Sequence, residues 1–221
     1  MKKEIKNKNE IKKVLNKKLL IGAICFLLFI ILTILVLTKT TNNIDSKVES
    51  LMISIRSDIL TNIMTIITNI GSAYSLISIT VLVTLIAIIK NKRLPINTIV
   101  NLISVFITSQ IFKLLIRRPR PTGVFLVDAT GYSYPSGHTM VSFAFFVFIA
   151  YSLSEKINNK MLKIMIKILT AILVITIGFS RIYLGVHHFT DILAGYLLGT
   201  SYLMIFLNIR NNIIKKEQKW K

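Results

Sequence analysis

From Leu19 to Thr38 the chain carries an unbroken uncharged run dominated by Leu, Ile and Phe. As a helix it is about 30 Å long at roughly 1.5 Å per residue, the depth of a bilayer's hydrocarbon core. It is long for a signal-peptide core, and the LTKTTNNID around its end offers no small-x-small cleavage site, so it reads as an uncleaved first span. Further predominantly apolar runs, three of them carrying one or two charges, recur at Ala73 to Ile89, Ile96 to Ile116, Thr139 to Leu153, Met161 to Phe179 and Phe189 to Leu207. With 53% hydrophobic against 17% charged residues in 221, the apolar surface exceeds what a soluble fold of this length hides. The expectation is an all-α integral membrane protein, a bundle of six transmembrane helices.

Val48 to Ile67 departs from that pattern. Val48, Leu51, Met52, Ile55, Ile59, Ile63 and Ile66 recur at helical spacing, with Glu49, Arg56, Asp58 and Asn62 between them. This predicts one amphipathic helix in the extracytoplasmic interface, packed on the bundle, although a short helical loop in water fits the same spacing.

A net charge of +19 would suggest nucleic acid in a soluble protein, but its distribution argues for a membrane. The lysine-rich stretch 1–18, Lys90 to Arg93, the 154–167 loop and the stretch 210–221 hold most of the 28 Lys and Arg. Six spans bring these four segments to one side, which the positive-inside rule makes cytoplasmic. The expected organisation is a basic tail over 1–18, a six-span domain over 19–209 and a basic tail over 210–221. Both termini are then cytoplasmic, the location is the cell (plasma) membrane, and nucleic acid is not a partner. Cys25 is the only cysteine and lies in an apolar run, which excludes an internal disulfide and disfavours a thiolate metal site. The nine acids do not cluster, so a paired-carboxylate or EF-hand site has no support, and no metal or cofactor is expected.

The other cations gather in three polar stretches. Lys113, Arg117, Arg118 and Arg120 lie in KLLIRRPRP, His138 in YPSGHTM, and Arg181, His187 and His188 in SRIYLGVHHFTD. The expected topology brings all three to the outer end of the bundle. Charged groups at membrane depth are costly, so their default reading is functional, and cations beside imidazoles point to a phosphate. Hydrolysis of a phosphate ester needs positive charge around the equatorial oxygens, a nucleophile, and an acid for the leaving oxygen. Lys113, Arg120 and Arg181 can supply the charge, the arginines as bidentate forks and the lysine as a point charge. The N–H groups of Ser136 and Gly137 at a helix start, with the Ser136 hydroxyl, can point at an anion.

His187 and Asp191 are four apart, which lets the carboxylate hold one ring nitrogen and frees the other as a nucleophile. His188 reaches the same Asp191 at i, i+3, so spacing does not choose between the two histidines. His138 fits the acid. Asn97, Asn101, Ser104 and Thr108 share one face of the third span as interhelical hydrogen-bonding groups, and Gly195 with Gly199 forms a GxxxG stripe for close packing. Arg117 and Arg118 are expected in solvent or among lipid head groups, and Asp128 at the surface.

These three stretches resemble the signature motifs of the type 2 phosphatidic acid phosphatase superfamily. The family patterns are Lys-x6-Arg-Pro, Pro-Ser-Gly-His and Ser-Arg-x5-His-x3-Asp. Lys113, Arg120 and Pro121 fill the first, Pro135 to His138 the second, and Ser180, Arg181, His187 and Asp191 the third, without a departure. The resemblance implies a six-span bundle and a metal-independent phosphatase working through a phosphohistidine on His187, with His138 as general acid. It also resolves the choice of histidine, leaving His188 as a flanking residue.

The implied partners are the bilayer and a membrane lipid phosphate whose tail stays in the membrane. Undecaprenyl pyrophosphate, phosphatidylglycerol phosphate, phosphatidic acid and diacylglycerol pyrophosphate are substrates known for the family. The Ile-, Lys- and Asn-heavy composition suggests an AT-rich bacterial genome, for which the carrier lipid of wall synthesis is the first candidate. Two other readings use the same groups. An anionic-lipid transporter or flippase would bind without hydrolysis, but the two halves show no internal repeat and no broken helices near the midplane are expected. A lipid phosphotransferase would share the His187 intermediate and differ only in the acceptor.

Overall fold

The computed structural model describes residues 2–87 and 93–219, with side chains described over 17–87 and 93–214. The lysines expected at positions 2–13, Lys90 to Lys92 and the last basic residues fall outside those side chains. Among the described residues there are eight helices and no strand. They are α1 (Lys2–Leu37), α2 (Asn42–Ser54), α3 (Asp58–Ile70), α4 (Ala73–Ala87), α5 (Arg93–Ile116), α6 (Gly137–Ser154), α7 (Lys160–Tyr183) and α8 (Phe189–Lys219).

Five helices are long and apolar enough to cross a bilayer alone: Lys17–Leu37 within α1, then α5, α6, α7 and Phe189–Ile214 within α8. A sixth crossing takes α3 and α4 together, bent by 48°. The second span expected over 73–89 therefore starts at a bend from α3, beside the cavity that Gly71 and Ala73 line.

The single amphipathic helix expected over Val48 to Ile67 is also two elements. Ser57 is extended (φ −150, ψ 158) and its hydroxyl accepts the Leu60 N–H, so it caps α3, with Asp58 in the first turn favouring that end of the dipole. The break is tied to the far end of the chain. Arg56 donates from Nε to the Tyr183 carbonyl at 3.3 Å, and the Ser57 N–H donates to the Tyr183 hydroxyl at 3.1 Å.

α6 lies at the centre, with α5, α7 and α8 around it, α1 against α8, α4 against α5 and α3 against α7. Its side chains pack on several sides, with Met140, Ala144, Phe145 and Phe148 fully buried. The principal core joins Phe29, Val105, Tyr134, Met140, Phe145 and Leu198 from five parts of the chain. Outward faces are apolar as well: Leu27, Leu82, Leu115 and Ile172 are all exposed. In water that surface would be a liability, whereas in a bilayer it is the solvated side. Gly195 and Gly199 let α8 close on α6, since a Cβ at Gly195 would meet the Ser136 carbonyl and Thr139 Cβ at 3.0 Å. On the face of α5, the Ser104 and Tyr202 hydroxyls are 2.6 Å apart, and Tyr202 also donates to the Asn101 carbonyl at 3.1 Å.

Candidate active site

Three breaks between helices converge at one end of the bundle. α5 stops where Arg117 takes a left-handed backbone (φ 52) ahead of Pro119 and Pro121, which cannot continue a helix. α6 starts after a cis Tyr134–Pro135 bond, and the Ser136 hydroxyl caps it by accepting the Thr139 N–H at 3.5 Å, with the Thr139 hydroxyl donating to the same oxygen at 3.0 Å. The Ser136 N–H donates to the Asp191 carbonyl at 3.0 Å. Of the donors expected to face an anion, this one is therefore engaged inside the protein, because the Gly195 contact brings α8 so close. α7 ends in a turn at Gly185 (φ 78), where a Cβ would lie 2.7 Å from both Arg56 Nη2 and the Val124 carbonyl.

That turn delivers His187 just before α8, not on its first turn. His188 precedes the helix, and Asp191, three residues on, reaches back to accept the His188 N–H at 2.9 Å while its own N–H donates to the His188 carbonyl at 3.1 Å. This reciprocal cap fixes the carboxylate. His187 Nδ1 then lies 3.3 Å from Asp191 Oδ2, and Nε2 lies 3.4 Å from Arg120 Nη1. With Nδ1–H donated to Asp191, the Nε2 lone pair points to the cationic side. Burial pushes the His187 imidazole down to about 3, against the upward pull of Asp191 and helped by Arg181 and Lys113, so the ring is neutral at ordinary pH.

The cations facing it are held by neutral oxygens. Lys113 Nζ donates to the Tyr132 carbonyl at 2.6 Å. Arg120 donates to the carbonyls of Val186, Thr130 and Gly131 at 2.7, 2.7 and 3.0 Å. Arg181, 4% exposed, donates from Nη1 to Thr68 Oγ1 at 2.7 Å, and its Nε has no partner. Among the described residues none of the three has a carboxylate within ion-pair distance.

The opposite side of His187 is built differently. Arg118 donates from Nη1 to Asp191 Oδ1 at 2.6 Å and from Nη2 to Asp45 Oδ2 at 2.7 Å. Thr190 completes the group, donating its N–H and hydroxyl to Asp45 at 3.0 and 2.8 Å. The expectation that Arg118 is solvated or among head groups is corrected: its side chain is 11% exposed and lies between two buried carboxylates. Arg117 is exposed. The sequence reading missed Asp45, Thr68 and Thr190. Nothing local pairs them, because the partner of each lies tens of residues away or more.

Lys113, Arg120, His138, Arg181 and His187 all line one cavity of about 770 Å³. Gly137 belongs to the same lining, and a Cβ there would press on Ser109 Oγ and Lys113 Cε. Asp128, expected at the surface, is exposed but sits on the rim of this cavity. An apolar part of the wall comes from α4 and α5, through Leu76, Ile77, Leu102, Ile103, Phe106 and Leu114. No group of three or more His, Cys, Asp or Glu among the described residues could hold a metal ion.

A family model described as the PAP2 superfamily matches residues 94–215. The chain is 30% identical to phosphatidylglycerophosphatase B of Bacillus subtilis over 88% of its own length and 97% of that protein. It is 29% identical to undecaprenyl-diphosphatase of Sulfolobus acidocaldarius over 90% of this chain and 96% of that one. The crystal structure of a transmembrane PAP2-type phosphatidylglycerolphosphate phosphatase from Bacillus subtilis superposes with a TM-score of 0.82 at 27% identity, covering 87% of this chain and 96% of that chain.

Proposed function

Since the chain belongs to the PAP2 superfamily and is a multi-pass membrane phosphatase acting on lipid phosphates, we propose that it removes a terminal phosphate through a phosphohistidine on His187. The observation that carries this reading is the uncompensated charge of Lys113, Arg120 and Arg181 around a cavity lined by two histidines, with an apolar wall leading into the membrane. The charge fits a phosphate, and the α4–α5 wall fits the hydrocarbon attached to it.

In the first step, His187 Nε2 forms a bond to the terminal phosphorus while the bond from that phosphorus to the leaving oxygen breaks, the bridging oxygen of a diphosphate or the alcohol oxygen of a monoester. Asp191, on Nδ1, stabilises the ring as it becomes cationic. The three cations and the Gly137 N–H take the charge on the phosphoryl oxygens. His138, as imidazolium, gives its proton to that departing oxygen. An arriving phosphate dianion favours that protonated ring, because an opposite charge nearby stabilises the charged form. In the second step a water oxygen attacks phosphorus, the P–N bond breaks, and His138 takes the water's proton, returning both rings to their starting states.

The preferred substrate is an isoprenoid diphosphate, with phosphatidylglycerol phosphate and phosphatidic acid as the nearest competitors. Relatives carrying undecaprenyl-diphosphatase and phosphatidylglycerophosphatase B names support that range. The site faces the extracytoplasmic side of the plasma membrane with both termini cytoplasmic. In support, Lys18, Lys156, Lys160, Lys163, Lys167 and Arg210 lie toward the end of the bundle away from His187.

Phosphate release by the purified protein in detergent tests the reading. With undecaprenyl pyrophosphate, phosphatidylglycerol phosphate and phosphatidic acid compared under EDTA, release from at least one is expected, fastest from the first. Binding without release would favour the carrier reading, and loss in EDTA restored by magnesium would remove the metal-independent mechanism.

A further inference from the structure

A second cavity lies toward the other end of the bundle, where α7 diverges from α6 and α8. Nearer the active site these helices touch. The Tyr196 hydroxyl donates to the Val174 carbonyl at 2.8 Å, and a Cβ at Gly178 would come within 2.1 Å of that hydroxyl oxygen. Beyond this contact the three helices enclose a groove of about 770 Å³, walled by Phe143, Val147, Ala150, Ala171 and Ile175.

The groove ends at Lys163 and Lys167, on one face of α7, with Ser154 and Glu155 across from them. Glu155 is already engaged by Arg210 at 2.9 Å. Among the described residues neither lysine has an ion pair. The Ser154 hydroxyl is buried without a partner. Lys163 also sits in the first turn of α7, where the helix's own N-terminus is positive and a cation is unfavourable unless an anion joins it. From Lys163 to Val174 the groove runs about 16 Å at roughly 1.5 Å per residue, close to half of a ~30 Å hydrocarbon core.

We propose that this groove is a binding site for one anionic phospholipid of the leaflet opposite the active site. Its phosphate rests on Lys163 and Lys167 with the Ser154 hydroxyl as a further donor, and one acyl chain lies along the Phe143–Ala171 walls. A second copy of the chain would bring the same lysines to the contact and meet like charge. A zwitterionic lipid offers the phosphate together with a cation that the lysines repel. The groove shares no lining residue with the catalytic cavity, so this site stands or falls independently of the proposed reaction.

Native mass spectrometry of the full chain in detergent, titrated with dioleoyl phosphatidylglycerol or dioleoyl phosphatidylcholine, tests this. Retention of the anionic lipid should exceed that of the zwitterionic one by on the order of tenfold, the scale expected for two lysines near an anionic surface. The double variant Lys163→Glu, Lys167→Glu should lose the preference. Ala171→Phe, which fills the groove and keeps both lysines, should lose retention of the anionic lipid. Both variants should still release phosphate from a short-chain soluble ester, showing an intact fold. Equal retention of the two lipids by the unmodified chain would overturn the proposal. So would a preference that survives the charge reversal, or retention that survives Ala171→Phe.

Discussion

The two sides of His187 use arginine in opposite ways. On the Asp191 side, Arg118 is matched by two carboxylates, and Asp45, Thr190 and Asp191 satisfy one another within the fold. On the cavity side, Lys113, Arg120 and Arg181 are held by carbonyls and one threonine, which orient a cation without neutralising it. A guanidinium between two acids is finished as a structure. Three cations on neutral dipoles are an incomplete site that an incoming phosphate completes. A buried charge deprived of its partner is costly, so the first side should answer to mutation mainly as stability and the second mainly as turnover.

The sharpest break is at the nucleophile between them. His187→Ala should lower turnover by on the order of 10⁴-fold or more, as removal of a covalent nucleophile does elsewhere, with the fold retained by thermal unfolding. Substantial residual hydrolysis would end the covalent reading. Next comes a matched pair. Arg118→Gln leaves two buried carboxylates facing each other and should destabilise the protein by about 3–5 kcal/mol. Arg181→Gln should lower kcat/KM by on the order of 10²-fold, with thermal stability unchanged or higher, because it removes a buried cation that no anion compensates. Equal stability losses in the two variants would erase the distinction between the sides.

A milder variant refines it. Asp45→Asn keeps the shape and removes one charge from the matched side, so it should lower thermal stability by less than Arg118→Gln does, with kcat and KM little changed. A change confined to KM would move Asp45 into substrate binding. A further test concerns pH. Burial holds His187 at about 3, whereas an unfolded imidazole titrates near 6.5. Between those values the unfolded chain binds a proton that the folded one refuses, so stability contributed by the neutral ring is present above about 6.5 and declines as pH falls toward 3. Thermal unfolding from pH 7 to 4 should therefore fall less steeply in His187→Gln than in the unmodified chain. Parallel curves would contradict this.

Most of the architecture was legible because a bilayer imposes length and hydropathy on anything that crosses it. The runs beginning near Leu19, Ile96, Thr139, Met161 and Phe189 all correspond to helices. The α2–α3 break was not legible, since apolar spacing continues through Ile55 and Ile59 while the interruption depends on Ser57 and on contacts to Tyr183. Within the site, the residues joined by short local spacing, such as His187 and Asp191, could be paired on paper. Asp45 could not, because Arg118 and Thr190 reach it only after the bundle has closed. The Ser136 N–H shows the same limit: a helix start is visible in PSGH, but the Asp191 carbonyl that engages the donor arrives from another helix.

Acid-quenched single turnover with a lipid phosphate labelled on its terminal phosphorus, followed by peptide mapping, tests the central claim most directly. The account predicts an acid-labile, alkali-stable label on the peptide carrying His187, absent from His187→Ala. Release of phosphate with no labelled protein, or a label on His138 or His188, would contradict it.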